Sequence, residues 1–164
     1  MSDNSDKHTG SATSNAQARR APGDYPFAGE RIAQVHITSR PDCLRLVRAV
    51  VNEAGDATGC SGDCISQIVM AVDEACQNII RHAYLGDPGG LIVVDIRRLD
   101  DAIAIHLLDF ADPVDVSTIK PRRLDELKPG GLGTHFIQQC MDECDFLTPP
   151  DGAGNCLRLV KKIT

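Results

Sequence analysis

The sequence predicts a two-layer α/β (α+β) sandwich, with a mixed, largely antiparallel sheet that carries its helices on one face. Three observations predict it. Two segments, one opening at Ser39 and one over about 63–83, repeat apolar residues at helical spacing. Two strand-like runs, LIVVDIR (Leu91–Arg97) and AIAIHLLDF (Ala102–Phe110), follow each other with no helix between them. Two further strand-like runs close the chain. Strands in direct succession pair antiparallel, and the helices then gather on one side.

The elements follow in order. Residues 1–28 are rich in Ser, Asp, Asn, Thr, Gly and Ala and show no apolar periodicity. Such a segment buries too little apolar surface to offset its ordering entropy, so it reads as a disordered tail ahead of a domain over 29–164. Glu30–Thr38 is the first strand, marked by Ile32, Val35 and Ile37. Ser39 and Asp42 stand three apart like a capping box, with Pro41 suited to the first turn. Leu44, Val47, Val50, Val51 and Ala54 then follow helical spacing, and Gly55 and Gly59 end that helix. The next helix, about Asp63–Ala83, has one apolar stripe through Ile65, Ile68, Val72, Cys76, Ile79 and Ala83. Gly86–Gly90 is a turn, and Leu99, Asp100 and Asp101 join the two central strands. Residues 114–130 are mixed polar and too long for a tight connection, which reads as a lid. A helix starts near Gly131–Gly133, and strands over Glu143–Leu147 and Asn155–Ile163 finish the chain.

Composition sets limits. A length of 164 residues fits one domain. Trp is absent and aromatics are 4%, so the core must be aliphatic. A formal charge of −6 and a pI near 5.2 leave no basic surface to replace phosphate counterions, which argues against direct nucleic-acid binding. No apolar run approaches the roughly 20 residues that span a bilayer. The N-terminus has no apolar core segment of a secretory signal, so the expected location is the cytoplasm. Most of the seven cysteines fall inside apolar segments, where a reduced Cys acts as a small core residue. Cys60/Cys64 and Cys140/Cys144 have C-x-x-x-C spacing, but zinc sites normally add a tight second pair in loop geometry.

Glu74 and Asn78 are the most informative pair. They lie one helical turn apart on the side away from the apolar stripe, with Arg81 close by. A carboxylate there can accept or position the proton of an attacking hydroxyl, and is otherwise a solvated charge. The Asn78 carboxamide offers Mg²⁺ a neutral oxygen ligand beside phosphates. Asp109 ends an apolar strand ahead of Pro113, where it can accept from an exocyclic amino group or simply initiate a turn. Gly130, Gly131 and Gly133 leave backbone N–H groups open at a helix start, an arrangement that suits phosphate or a lid hinge. His82 and His135 read as helix residues with local partners. No G-x-x-x-x-G-K-[ST] run is present, so the P-loop type of nucleotide site is excluded.

Taken in order, these segments resemble a known family. AVDEACQNIIRHAY (Ala71–Tyr84) is similar to the N box of the GHKL ATPase superfamily, and more narrowly to bacterial anti-sigma factor serine/threonine kinases of the partner-switching type. DFADPVD (Asp109–Asp115) sits where that family has its D-x-G-x-P box. PGGLGTHFIQQCMDECDF (Pro129–Phe146) resembles the second glycine box and the helix after it, and GNCLRLVKK (Gly154–Lys162) resembles the last strand. The resemblance implies a histidine-kinase-like ATPase fold that uses ATP and Mg²⁺. It implies Glu74 as general base, Asn78 as Mg²⁺ ligand and Asp109 against the adenine amino group. Ala111, Gly131, Leu132, Gly133 and Thr134 would line the nucleotide. The implied substrate is a Ser or Thr on a STAS-domain antagonist, the other implied partner is a sigma factor, and the implied assembly is a homodimer. Ala111 departs from the family glycine. A Cβ there would crowd the adenine end if close approach or a positive φ were needed. A sequestering module without kinase activity is the alternative that this departure favours.

Overall fold

The computed structural model describes residues 24–113 and 132–163, with the Leu132 side chain left aside. The chain order is β1 (Glu30–Thr38), a 3-10 turn (Pro41–Cys43), α1 (Leu44–Thr58), α2 (Gly62–Asn78), a π-helical turn (Ile79–Ala83), β2 (Leu91–Arg98), β3 (Ala102–Asp109), α3 (Leu132–Cys140), β4 (Glu143–Leu147) and β5 (Asn155–Lys162). The five strands form one sheet in the order β1-β2-β3-β5-β4, and every neighbouring pair is antiparallel. The expected lid over 114–130, Gly131 and most of the expected tail lie outside the described residues.

Alternation along the strands sorts the two faces. Ile92, Val94 and Ile96 of β2 and Ile103, Ile105 and Leu107 of β3 point to the helices. They meet Val47 and Val51 of α1 and Ile68, Val72 and Cys76 of α2 in one aliphatic core. Ser61 caps α2, its Oγ accepting from Cys64 N at 3.3 Å, a contact worth about 1 kcal/mol.

Three local expectations need correction. Ser39 does not cap the first helix. Arg40 holds the N-cap of the 3-10 turn with no side-chain capping bond, while Ser39 Oγ donates to Asp87 O and accepts from Gly90 N. Gly55 does not end α1. It is buried inside the helix, with Ile65 of α2 against it, and Gly59 alone makes the left-handed cap at φ 83°. Tyr25 and Phe27, inside the segment assigned to the tail, pack on the sheet.

That contact covers the outer face. Tyr25 and Phe27 pack there on Val93, Leu108 and Cys156, and the Phe27 ring stacks on His106 at 3.7 Å. Arg97 Nη1 and Nη2 donate to Phe27 O and Tyr25 O at 2.9 and 3.0 Å. Asp95, fully buried, accepts from Arg97 Nε at 2.6 Å, Arg31 Nε at 2.9 Å and Gln34 Nε2 at 2.8 Å. Truncating one member of such a pair strands the other in low dielectric. Asp95→Ala is therefore expected to destabilise the fold by about 3–5 kcal/mol, read as a lower denaturation midpoint in urea.

Candidate functional site

α2 carries Glu74 and Asn78 on the flank away from its buried stripe, where they border a polar cleft of about 420 Å³. Arg81, His82 and His135 border it too. Glu74 is about a quarter exposed (24%), and its Oε1 lies 3.8 Å from Arg81 Nη2. Arg81 donates to Gln77 Oε1 at 2.9 Å, Gln77 to Asp73 Oδ2 at 2.9 Å, and Arg48 of α1 to Asp73 Oδ1 at 2.6 Å. A polar ladder thus runs up α2 to Glu74 and fixes the rungs beneath it.

Gly133, in the first turn of α3, explains itself by contact. A Cβ placed there would stand 2.0 Å from Glu74 Oε1. A side chain there would push the Glu74 carboxylate aside, so the glycine lets the α3 backbone approach the carboxylate where it now stands.

Behind the cleft is a second cavity of about 260 Å³, walled by Ala75, Ile79, Leu107, Ile137, Phe146 and Leu157. Asn78 and His82 border both spaces. Thr134 of α3 also lines this second cavity. Asp109 and Asn155 enter it from the end of β3 and the start of β5, where they are cross-strand partners. Asn155 Nδ2 donates to Asp109 Oδ1 at 2.9 Å, and Ala111 N donates to the same oxygen at 3.1 Å. Burial pushes the Asp109 carboxyl above its ordinary range, and these two donors pull it back.

The helix end behind Asn78 is unusual. Tyr84 N donates to Ile79 O at 3.0 Å, closing a π turn. The Tyr84 hydroxyl donates to Leu91 O at 2.6 Å and accepts from Phe110 N at 2.8 Å. One side chain therefore ties the end of this helix to β2 and to the residue after Asp109.

The structure brings Glu74, Asn78, Asp109, Gly133 and Thr134 together around two joined spaces. Leu132 opens α3, and Gly131 lies outside the described residues. Ala111 does not wall the cavity. Among the described residues, Leu85 is the one non-glycine with a left-handed backbone, so Ala111 adopts a conformation open to any L-residue. The close approach occurs opposite it, where a Cβ on Gly154 would stand 1.9 Å from Ala111 O. Asn155 was not expected in the site. Its sequence signal was no more than a strand start after Gly154. The seven cysteines are free thiols, and among the described residues no three His, Cys, Asp or Glu groups converge on a metal-sized site.

An apolar cavity with a carboxylate and a carboxamide at one end thus adjoins a polar cleft. Residues 37–161 match the family model of the histidine kinase-like ATPase domain. The chain belongs to that family. Among curated relatives, a serine-protein kinase RsbW of Staphylococcus aureus is 27% identical over 142 residues, covering 81% of this chain and 89% of the relative. RsbW of Bacillus licheniformis is 29% identical over 113 residues, covering 64% and 71%. A solved Mycobacterium tuberculosis structure of RsbU and RsbW domains superposes with TM-score 0.55 at 21% identity. It aligns with 80% of this histidine kinase-like chain, which spans 32% of that longer one, and it establishes the shared fold. Among the described residues, no helix of this ATPase domain is long and apolar enough to cross a membrane.

Proposed function

We propose that this chain is an ATP-dependent serine/threonine protein kinase and anti-sigma factor that phosphorylates a STAS-domain antagonist in a cytoplasmic partner-switching pathway, working as a homodimer. One observation carries the reading: an apolar cavity containing Asp109 opens beside a polar cleft containing Glu74, with Asn78 on the border of both. The name borne by the curated relatives supports it.

Adenine fits the apolar cavity, and its amino group suits a carboxylate acceptor at Asp109. The Asn78 carboxamide is half-buried and makes no hydrogen bond to another described residue, a state that fits a ligand role toward Mg²⁺. Mg²⁺, when bound, neutralises charge on the phosphates. Asn78 and the α3 backbone at Gly133 would hold the phosphate end in place. Glu74 would accept the proton of the attacking hydroxyl as that oxygen bonds to the γ-phosphorus and the bond to the β-phosphate oxygen breaks, releasing ADP.

Calorimetric titration with ATP, with and without Mg²⁺, tests the reading. Magnesium-dependent binding is expected, weakened about tenfold or more by Asn78→Ala. No binding at millimolar ATP would defeat the kinase reading and leave a nucleotide-independent sequestering module.

A further inference from the structure

We propose that Asn155 is a positioning residue that sets base selectivity, by holding Asp109 as an oriented carboxylate that accepts from a 6-amino purine and rejects a 6-oxo purine. The inference rests on the adenine-site reading above.

Asn155 Nδ2 reaches two acceptors, Asp109 Oδ1 at 2.9 Å and Asp112 O at 3.4 Å. Both neighbours are acceptors, so the carboxamide must turn its NH₂ toward them. Ala111 N also donates to Oδ1, at 3.1 Å. Two donors on one oxygen fix the carboxylate plane. Oδ2 is then left without a protein partner among the described residues, in a group that lines the apolar cavity. An ionised carboxylate is acceptor-only. It matches the amino group of adenine and repels the carbonyl oxygen of hypoxanthine or guanine. A protonated carboxyl inverts that preference, because its O–H can donate to a 6-oxo group.

Ionisation of Asp109 is therefore part of selectivity, and burial works against it. Among the described residues, the titratable side chains nearby include no Lys or Arg. His82 and Cys144 line the same cavity, Cys156 lies within range of the Asp109 charge, and the Tyr84 hydroxyl is committed to Leu91 O and Phe110 N. Asp112 is engaged through its backbone oxygen. The stabilisation of the charged form comes from the Asn155 and Ala111 donors. Ala111 contributes through its backbone, so Asn155 is the side chain that evolution or mutagenesis can change.

The test is calorimetric titration of the full chain, unsubstituted and as Asn155→Ala and Asn155→Asp, with ATP and with inosine triphosphate, at mildly acid and mildly alkaline pH. Circular dichroism melting reports whether each variant folds. The unsubstituted chain is expected to prefer ATP at both pH values. Asn155→Ala is expected to lose about tenfold in ATP affinity and to lose its preference over inosine triphosphate at acid pH, regaining part of it at alkaline pH. Asn155→Asp removes the donor and adds a like charge, so its loss is expected to extend to higher pH. A folded Asn155→Ala with an unchanged ATP-to-inosine-triphosphate ratio at both pH values overturns the inference while leaving the adenine site standing. Failure of the unsubstituted chain to bind either nucleotide overturns both.

Discussion

Replacing Glu74 with alanine is expected to lower phosphotransfer by about 10²–10⁴-fold while ATP affinity stays within about threefold. Glu74 borders the polar cleft and is absent from the walls of the apolar cavity, so binding of the base should not depend on it and overall affinity should change little. Among the described residues its one ion-pair partner is Arg81, 3.8 Å away and more than half exposed. Such a pair contributes about 0–1 kcal/mol to stability, so the variant should melt almost like the parent. Glu74→Gln sharpens the experiment. It keeps the side-chain volume packed on Gly133 but removes the basic oxygen, so it should be nearly as inactive. The assay is transfer of labelled phosphate from ATP to a purified STAS-domain antagonist, run beside calorimetry. Transfer at close to the parental rate in either variant would remove Glu74 from the role of base.

Asp109→Asn is expected to weaken ATP binding by roughly ten- to a hundredfold, as loss of a charge-assisted hydrogen bond of about 1.5–3 kcal/mol requires. The substitution is isosteric, and its direction of failure is set by the neighbours. Asn155 Nδ2 and Ala111 N both donate to Oδ1. They would demand the amide oxygen at that position and turn the new NH₂ toward the base, donor against donor. The pH dependence of the unsubstituted chain follows from the same group. Burial raises the Asp109 pKa, and the carboxylate is the form that accepts. ATP binding should therefore hold at neutral pH and fall as pH drops through that raised range, starting above the ordinary aspartate value of about 3.9. Titrations across acid pH check the sign, and Asp109→Asn should flatten the profile.

The helix-facing half of the molecule was legible because it obeys simple periods. The 3.6-residue stripe of α2 and the spacing of Glu74 and Asn78 place both residues on the cleft side without any structure. The two central strands and the connection at Leu99–Asp101 were equally plain from apolar runs and turn residues. What escaped depends on partners distant in sequence. Ser39 has a capping signature, but its hydroxyl is taken by the backbone of the 87–90 turn. Asn155 bonds to Asp109, a residue 46 positions earlier. Asp95, Arg97 and His106 sit inside apolar runs, and the covering segment at Tyr25–Phe27 comes from a stretch too polar to predict packing. Local pattern cannot reveal cross-strand chemistry when the pairing register itself has to be inferred.

The Tyr84 bridge has an entropic consequence. A pocket wall made of a free loop must be frozen by its ligand, and each ordered residue subtracts from affinity. Here the last turn of the helix, the first residue of β2 and the backbone after Asp109 are joined through one hydroxyl before any ligand arrives. If the base enters as proposed, the backbone that holds Asp109 is already tied in place by these two bonds. A ring system entering the cavity gives up its own freedom but does not have to order that backbone.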